Sequence, residues 1–157
     1  MTEYTNIAIT LQDDSVLIMS VILNDYRIIN RQFSSEVVNF EIQKLGVTPK
    51  SWRLIVDTDN LSDRTFRNAW RDNGSIYVHM PIAREIHRNN LRQSRSKYLE
   101  QLDIEYMKAD EAGNNSEKNR ISQKKQSLRD VTIRSEIEAA STPEQLKLLT
   151  LEYLCGL

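Results

Sequence analysis

"PIAREIHRNNLRQSRSKYLEQLDIEYMKADEA", residues 81–112, decides the architecture. Proline fits the first turn of a helix, where its missing amide hydrogen costs nothing, and from Pro81 to Ala112 no residue breaks a helix. One straight helix over this run is roughly 45 Å long. "AGNNSE" at 112–117 then offers Gly113 and Asn114 as a stop and Ser116 as a new cap, so a second helix is expected from Glu117 to Val131 or somewhat beyond. The pair reads as an αα-hairpin. "STPEQLKLL" follows with Ser141 or Thr142 as cap, proline in the first turn and Leu146, Leu148 and Leu149 to bury, which gives a short third helix.

Upstream of Pro81 the pattern changes to strands. Residues 15–23, "SVLIMSVIL", follow the turn-like Gln12-Asp13-Asp14 and are rich in β-branched and other apolar residues, as a buried strand requires, and Asn6–Leu11 reads as a strand before it. Ser34 or Ser35 caps a helix through "SEVVNFEIQKLG", which Gly46 ends. After Thr48-Pro49, "SWRLIV" places Trp52, Leu54 and Val56 on one strand face, and Asp72-Asn73-Gly74 sits between two short runs as a tight hairpin turn. The chain is therefore read as α+β: residues 1–80 form a small N-terminal β-rich head with one helix, and residues 81–157 form a helical hairpin or coiled-coil-like domain with a short C-terminal helix.

The composition supports a modest core with much exposed helix, since 39% of the 157 residues are hydrophobic and 27% are charged. No apolar run approaches the roughly 18 residues that span a bilayer, and "MTEYTNIAIT" lacks the basic start and apolar centre of a signal peptide. The expectation is a cytoplasmic protein without a membrane partner. A single cysteine, Cys155, excludes an intramolecular disulfide framework, and with only two histidines, His79 and His87, no zinc site can be assembled. No nucleophile with a base, metal cluster or phosphate loop is present, so no catalytic residue, metal or cofactor is expected and the chain is read as non-enzymatic.

Charge is uneven along the chain. Lys and Arg against Asp and Glu number five to nine in residues 1–63, eight to two in 64–97 and eight to eleven in 98–157. Within the basic island, Arg84, Arg88, Arg92 and Arg95 follow spacings of four, four and three, which place them on one helix face. Such a ridge can track nucleic-acid phosphates or meet acids of a neighbouring protein or of the head. His87 lies beside it, where cations disfavour protonation. On the same long helix Ile82, Ile86, Leu91, Tyr98, Leu102, Tyr106 and Ala109, with Leu99 and Met107 beside them, make an apolar seam. The second helix offers only Ile121, Leu128 and Val131 to cover it. The seam at Tyr98, Leu102 and Tyr106 thus predicts a homo-oligomer or an obligate partner.

"DRTFRNAW", residues 63–70, crowds polar and aromatic groups together. Asp63 suits a turn cap, Phe66 and Trp70 suit burial, and Arg64, Arg67 and Arg71 suit pairing with the acidic "DTDNLSD" loop or the head. The cluster is read as a rigid junction between head and helices, with a ligand pocket as the sharper alternative.

The order "WRLIV…DRTFRNAWRDNG…AREIHR…LEQLDIEYMKADEAGN…KKQSLRDVT…ASTPEQLK" resembles a group of small uncharacterised bacteriophage proteins. The similarity runs from Ser51 to Leu149 and is strongest at Asp63–Trp70 and Lys124–Thr132. The ending "KKQSLRDVT…STPEQLK" also looks loosely like the C-terminal part of phage tail-fibre assembly chaperones. The resemblance implies a virion or assembly protein of the tail or fibre apparatus, with a phage tail or fibre protein as partner, in the host cytoplasm during assembly or in the particle. It carries over no catalytic residue and leaves residues 1–50 unread. The alternative is a small phage-encoded nucleic-acid-binding protein using the arginine ridge.

Overall fold

A computed structural model describes residues 4–22, 35–56, 59 and 61–156. The fold is α+β, and the chain divides into two compact units, Met1–His79 and Met80–Leu157.

The N-terminal unit begins with an antiparallel hairpin of β1 (Tyr4–Leu11) and β2 (Val16–Ile22). Its loop turns at Asp14, the one non-glycine with positive φ among the described residues, while Asp13 accepts hydrogen bonds from the amide and hydroxyl of Ser15. Aspartate tolerates this conformation better than a branched residue does. Helix α1 (Ser35–Lys44) follows and stops at Gly46, whose φ is +66°. The expected serine cap of α1 falls outside the described side chains.

Strand β3 (Pro49–Leu54) pairs with the other side of β1, giving the order β2-β1-β3. Proline opens it, a position at which its lack of an N–H does not break the ladder. Alternation along the strands sends Ile7, Ile9 and Val21 to one face, where they pack with Val38 and Ile42 of α1, and Trp52 is half-buried against this cluster. A single turn of 3-10 helix (Arg67–Ala69) then leads into β4 (Trp70–Asp72), which pairs with β5 (Ile76–Val78) and packs on β1 and β2. The turn between them has three residues, and only Gly74 has positive φ. The hairpin turn expected at Asp72-Asn73-Gly74 is there, and Asp72 Oδ1 accepts the Gly74 amide at 2.9 Å, so the aspartate stabilises the loop.

The second unit is led by α2 (Met80–Glu111), 32 residues, about 48 Å long. Gly113 turns the chain with φ +65°. Helix α3 (Asn115–Asp130) then starts two residues earlier than expected, because Asn114 and not Ser116 is its cap: the Asn114 side chain accepts the Glu117 amide at 3.1 Å. A 3-10 turn (Val131–Ile133), α4 (Ser135–Ala139), α5 (Pro143–Leu148) and α6 (Leu151–Cys155) follow. Thr142 caps α5 as expected. The sequence reading missed α4 and α6, which are too short to show a helical period of their own. Together α3 and these short elements bury Ile121, Leu128, Val131, Ile137, Leu146, Leu151 and Leu154.

Candidate functional site

The arginine ridge does lie along one face of α2, but most of it faces the protein's own chain. Arg95 Nη1 donates to the carbonyls of Leu128 and Arg129, at 3.1 and 2.6 Å, where α3 ends. Arg88 donates through Nε to Thr132 O at 3.2 Å and also binds Glu85 and Glu138. Arg84 Nη2 donates to Ala140 O at 3.0 Å. Carbonyls at helix ends have no intrahelical partner and carry partial negative charge, so a guanidinium with several donors is suited to satisfy them. Only Arg92 is exposed, with Asn89 as its partner at 2.6 Å. The acids expected opposite the ridge were those of a neighbouring protein or of the head; among the described residues the ridge meets Glu85 and Glu138 of its own unit together with backbone carbonyls.

Much of the seam is also covered from within, although Tyr98 and Met107 stay exposed. Leu102 and Leu91 are buried, and Tyr106 sits under the ammonium groups of Lys118 and Lys125, 5.8 and 5.3 Å from its ring centre. Those lysines pair in turn with Asp110 and Asp103 across the two helices. Tyr98 donates its hydroxyl to Glu152 of α6 at 3.3 Å. The second helix does not cover the seam by itself, as expected, but the expectation that the missing apolar surface comes from a copy or an obligate partner is corrected: the α4 to α6 segment of the same unit supplies it. Tyr98, Leu102 and Tyr106 therefore give no ground for a homo-oligomer. His87 is buried among these elements and donates Nε2–H to Leu149 O at 3.0 Å. Burial pushes its pKa below the usual histidine value, and Arg88 lowers it further.

In the N-terminal unit the "DRTFRNAW" cluster shows a division of labour. Asp63 Oδ1 accepts the Thr65 amide at 2.9 Å, and Phe66 and Trp70 are buried. Among the described residues no ion pair joins Arg64, Arg67 or Arg71 to the acidic loop, where Arg53 of β3 holds Asp59; of the expected alternative, pairing with the head, Arg71 shows a weak electrostatic effect on Asp13. The Arg53 guanidinium holds Asp59 with two bonds of 2.7 and 2.9 Å and Asp72 through Nε at 2.8 Å. Asp59, whose side chain is fully buried, also accepts the amides of Ile76 and Val56 at 2.7 and 3.1 Å. Arg53 first, then these amides, hold the Asp59 carboxyl well below the usual carboxylate range against the opposing effect of burial. This buried network ties β3, the loop and the β4–β5 hairpin together. Its members were visible in sequence as an arginine on a strand and acids in two turns, without any local sign that they meet.

Arg64 and Arg67 are left exposed, and neither makes an ion pair among the described residues. They line a cleft of about 370 Å³ with Asn68, Trp70 and the β2 residues Val16, Leu17 and Ile18. Two further hollows, of about 280 and 220 Å³, share Thr10, Asp14 and Asp72. In the larger one Lys50 pairs with Asp14 at 2.6 Å and Arg53 with Asp72, whereas Arg71 in the smaller one donates to the Trp70 carbonyl. His79 borders the smaller hollow. Among the described residues no group of three or more His, Cys, Asp or Glu is placed to hold a metal, and no helix is long and apolar enough to cross a membrane. No protein-family model, curated protein or solved structure matches this chain.

Proposed function

We propose that the protein is a non-enzymatic phage virion or assembly protein, associated with the tail or fibre apparatus, that works by contacts with other proteins. The phage assignment rests on the resemblance of Ser51–Leu149, above all at Asp63–Trp70 and Lys124–Thr132. The observation that favours protein contacts over nucleic acid is the engagement of Arg84, Arg88 and Arg95 with carbonyls and glutamates of their own unit. A phosphate backbone would have to displace bonds that hold α3 and α4 in place. Apolar side chains, in contrast, stand free on the same unit: Ile133 is 79% exposed, Leu148 71%, Tyr153 69% and Met107 63%. Isolated exposed apolar groups are common, but these are large and several.

The place of action in this reading is the host cytoplasm during assembly, or the particle itself. Mass spectrometry of purified virions and of tail and fibre intermediates, from cells infected by the phage that encodes the chain, tests it. Recovery in fixed stoichiometry with a tail or fibre protein supports the reading. Absence from all of these, with the chain copurifying on nucleic acid in a salt-sensitive complex, overturns it.

A further inference from the structure

We infer that the cleft beside β2 binds an acidic, extended peptide segment of a protein partner, which adds as a strand along the β2 edge with its carboxylates on Arg64 and Arg67. The inference rests on the protein-contact reading above and names the chemistry of the partner. Strand β2 is at one end of the sheet order β2-β1-β3, so on the side away from β1 alternate residues of its seven present backbone donors and acceptors without a ladder partner among the described strands. An incoming strand satisfies such groups directly.

Charge decides which edge and which partner. At the opposite edge, the cations of β3 are already matched, Lys50 by Asp14 and Arg53 by Asp59 and Asp72. Beside β2, Arg64 and Arg67 have no carboxylate partner among the described residues, although the guanidinium fork is shaped to take one. Side chains two apart on an extended peptide point the same way, so alternate acids can face the arginines while the backbone runs along β2. Of the rest of the lining, Val16, Leu17, Ile18 and the Trp70 ring are apolar, and Asn68 adds a side-chain amide that can donate to a carboxylate or a backbone carbonyl. A nucleic-acid strand could use the two arginines but has no backbone amides with which to extend a sheet.

The test uses the full chain and a fluorescent peptide of about eight residues alternating Thr and Glu, a typical strand length. Binding is read by fluorescence anisotropy. The Glu peptide should bind, and its Gln counterpart and a copy N-methylated on alternate residues should each bind on the order of tenfold more weakly or not at all. The Arg64→Ala/Arg67→Ala variant should lose on the order of tenfold in affinity while melting like the parent, because both side chains are exposed. If that variant melts early, Arg64→Lys/Arg67→Lys, which keeps charge but not the fork, must fall between parent and Ala variant. Equal binding of the Gln or N-methylated peptide, an indifferent double variant, or no binding overturns the inference. If no peptide binds but the chain still copurifies with tail or fibre proteins, only this inference is lost. A single-stranded oligonucleotide that displaces the Glu peptide at lower concentration than unlabelled peptide overturns both readings.

Discussion

Arg95 on α2 closes the C-terminal end of α3, its Nη1 shared by the carbonyls of Leu128 and Arg129 at 3.1 and 2.6 Å. Replacing Arg95 with Ala leaves those carbonyls without their charged donor and should destabilise the helical unit by about 1–2 kcal/mol, at the low end for a charged hydrogen bond because the site is partly exposed. Denaturant melting followed by far-UV ellipticity measures this. Nucleic-acid binding is expected to stay unchanged from the parent, whereas a ridge that served phosphates would lose about one unit of log–log salt slope per arginine removed.

Leu102→Asp puts a carboxylate into the buried contact between α2 and α3. The expected cost is at least about 3 kcal/mol, from lost packing and an unpaired charge. Both tryptophans, Trp52 and Trp70, lie in the N-terminal unit, so tryptophan fluorescence should melt as in the parent while helical ellipticity is lost. The loss should be the same at every protein concentration. Recovery of helicity on concentration would reinstate this seam as an interface between copies.

Asp59→Asn removes the buried half of an ion pair that Arg53 can only partly replace with Asp72. A loss of roughly 2–4 kcal/mol is expected in the N-terminal unit, read by tryptophan fluorescence. The pH dependence has a definite sign. The Asp59 pKa is depressed in the fold, so its contribution is complete above the ordinary value of 3.8 and is lost as pH falls below it. Between about pH 4 and pH 2 the parent should therefore lose stability more steeply than the Asn variant.

His87 acts on the other unit and at milder pH. Its pKa is lowered in the fold, so the unfolded chain binds the proton more readily, and stability falls as pH drops below the ordinary value of 6.5. The helical unit should melt at lower temperature at about pH 5.5 than at about pH 7.5. Gln in place of His87 keeps a donor for Leu149 O and should flatten that difference. An unchanged pH difference in the Gln variant would assign the effect to other groups.

The sequence alone determined the features that depend on neighbours along the chain. Pro81, Gly113 and Thr142 mark helix ends because a missing amide hydrogen, a left-handed turn and a side-chain cap all act within one helical turn. Alternation set the faces of β1 to β3 because successive side chains on a strand point to opposite sides. The period of α2 likewise placed Arg84, Arg88 and Arg95 on one face. It carried no information on what that face meets.

That was decided by tertiary structure, through groups 33 to 56 residues away. The carbonyls of Leu128, Thr132 and Ala140 are backbone groups, identical in every residue, so no sequence pattern announces which of them an arginine will reach. The same holds in the N-terminal unit, where several arginines stood within reach of the acidic loop in sequence. Arg53 reaches Asp59 because the pairing of β3 with β1 brings it to the sheet face on which Asp72 and the Ile76 amide lie, and with those acids occupied Arg64 and Arg67 find no carboxylate among the described residues. Local spacing fixes the direction of a side chain; which partner it finds depends on the packing of segments that are distant in the chain.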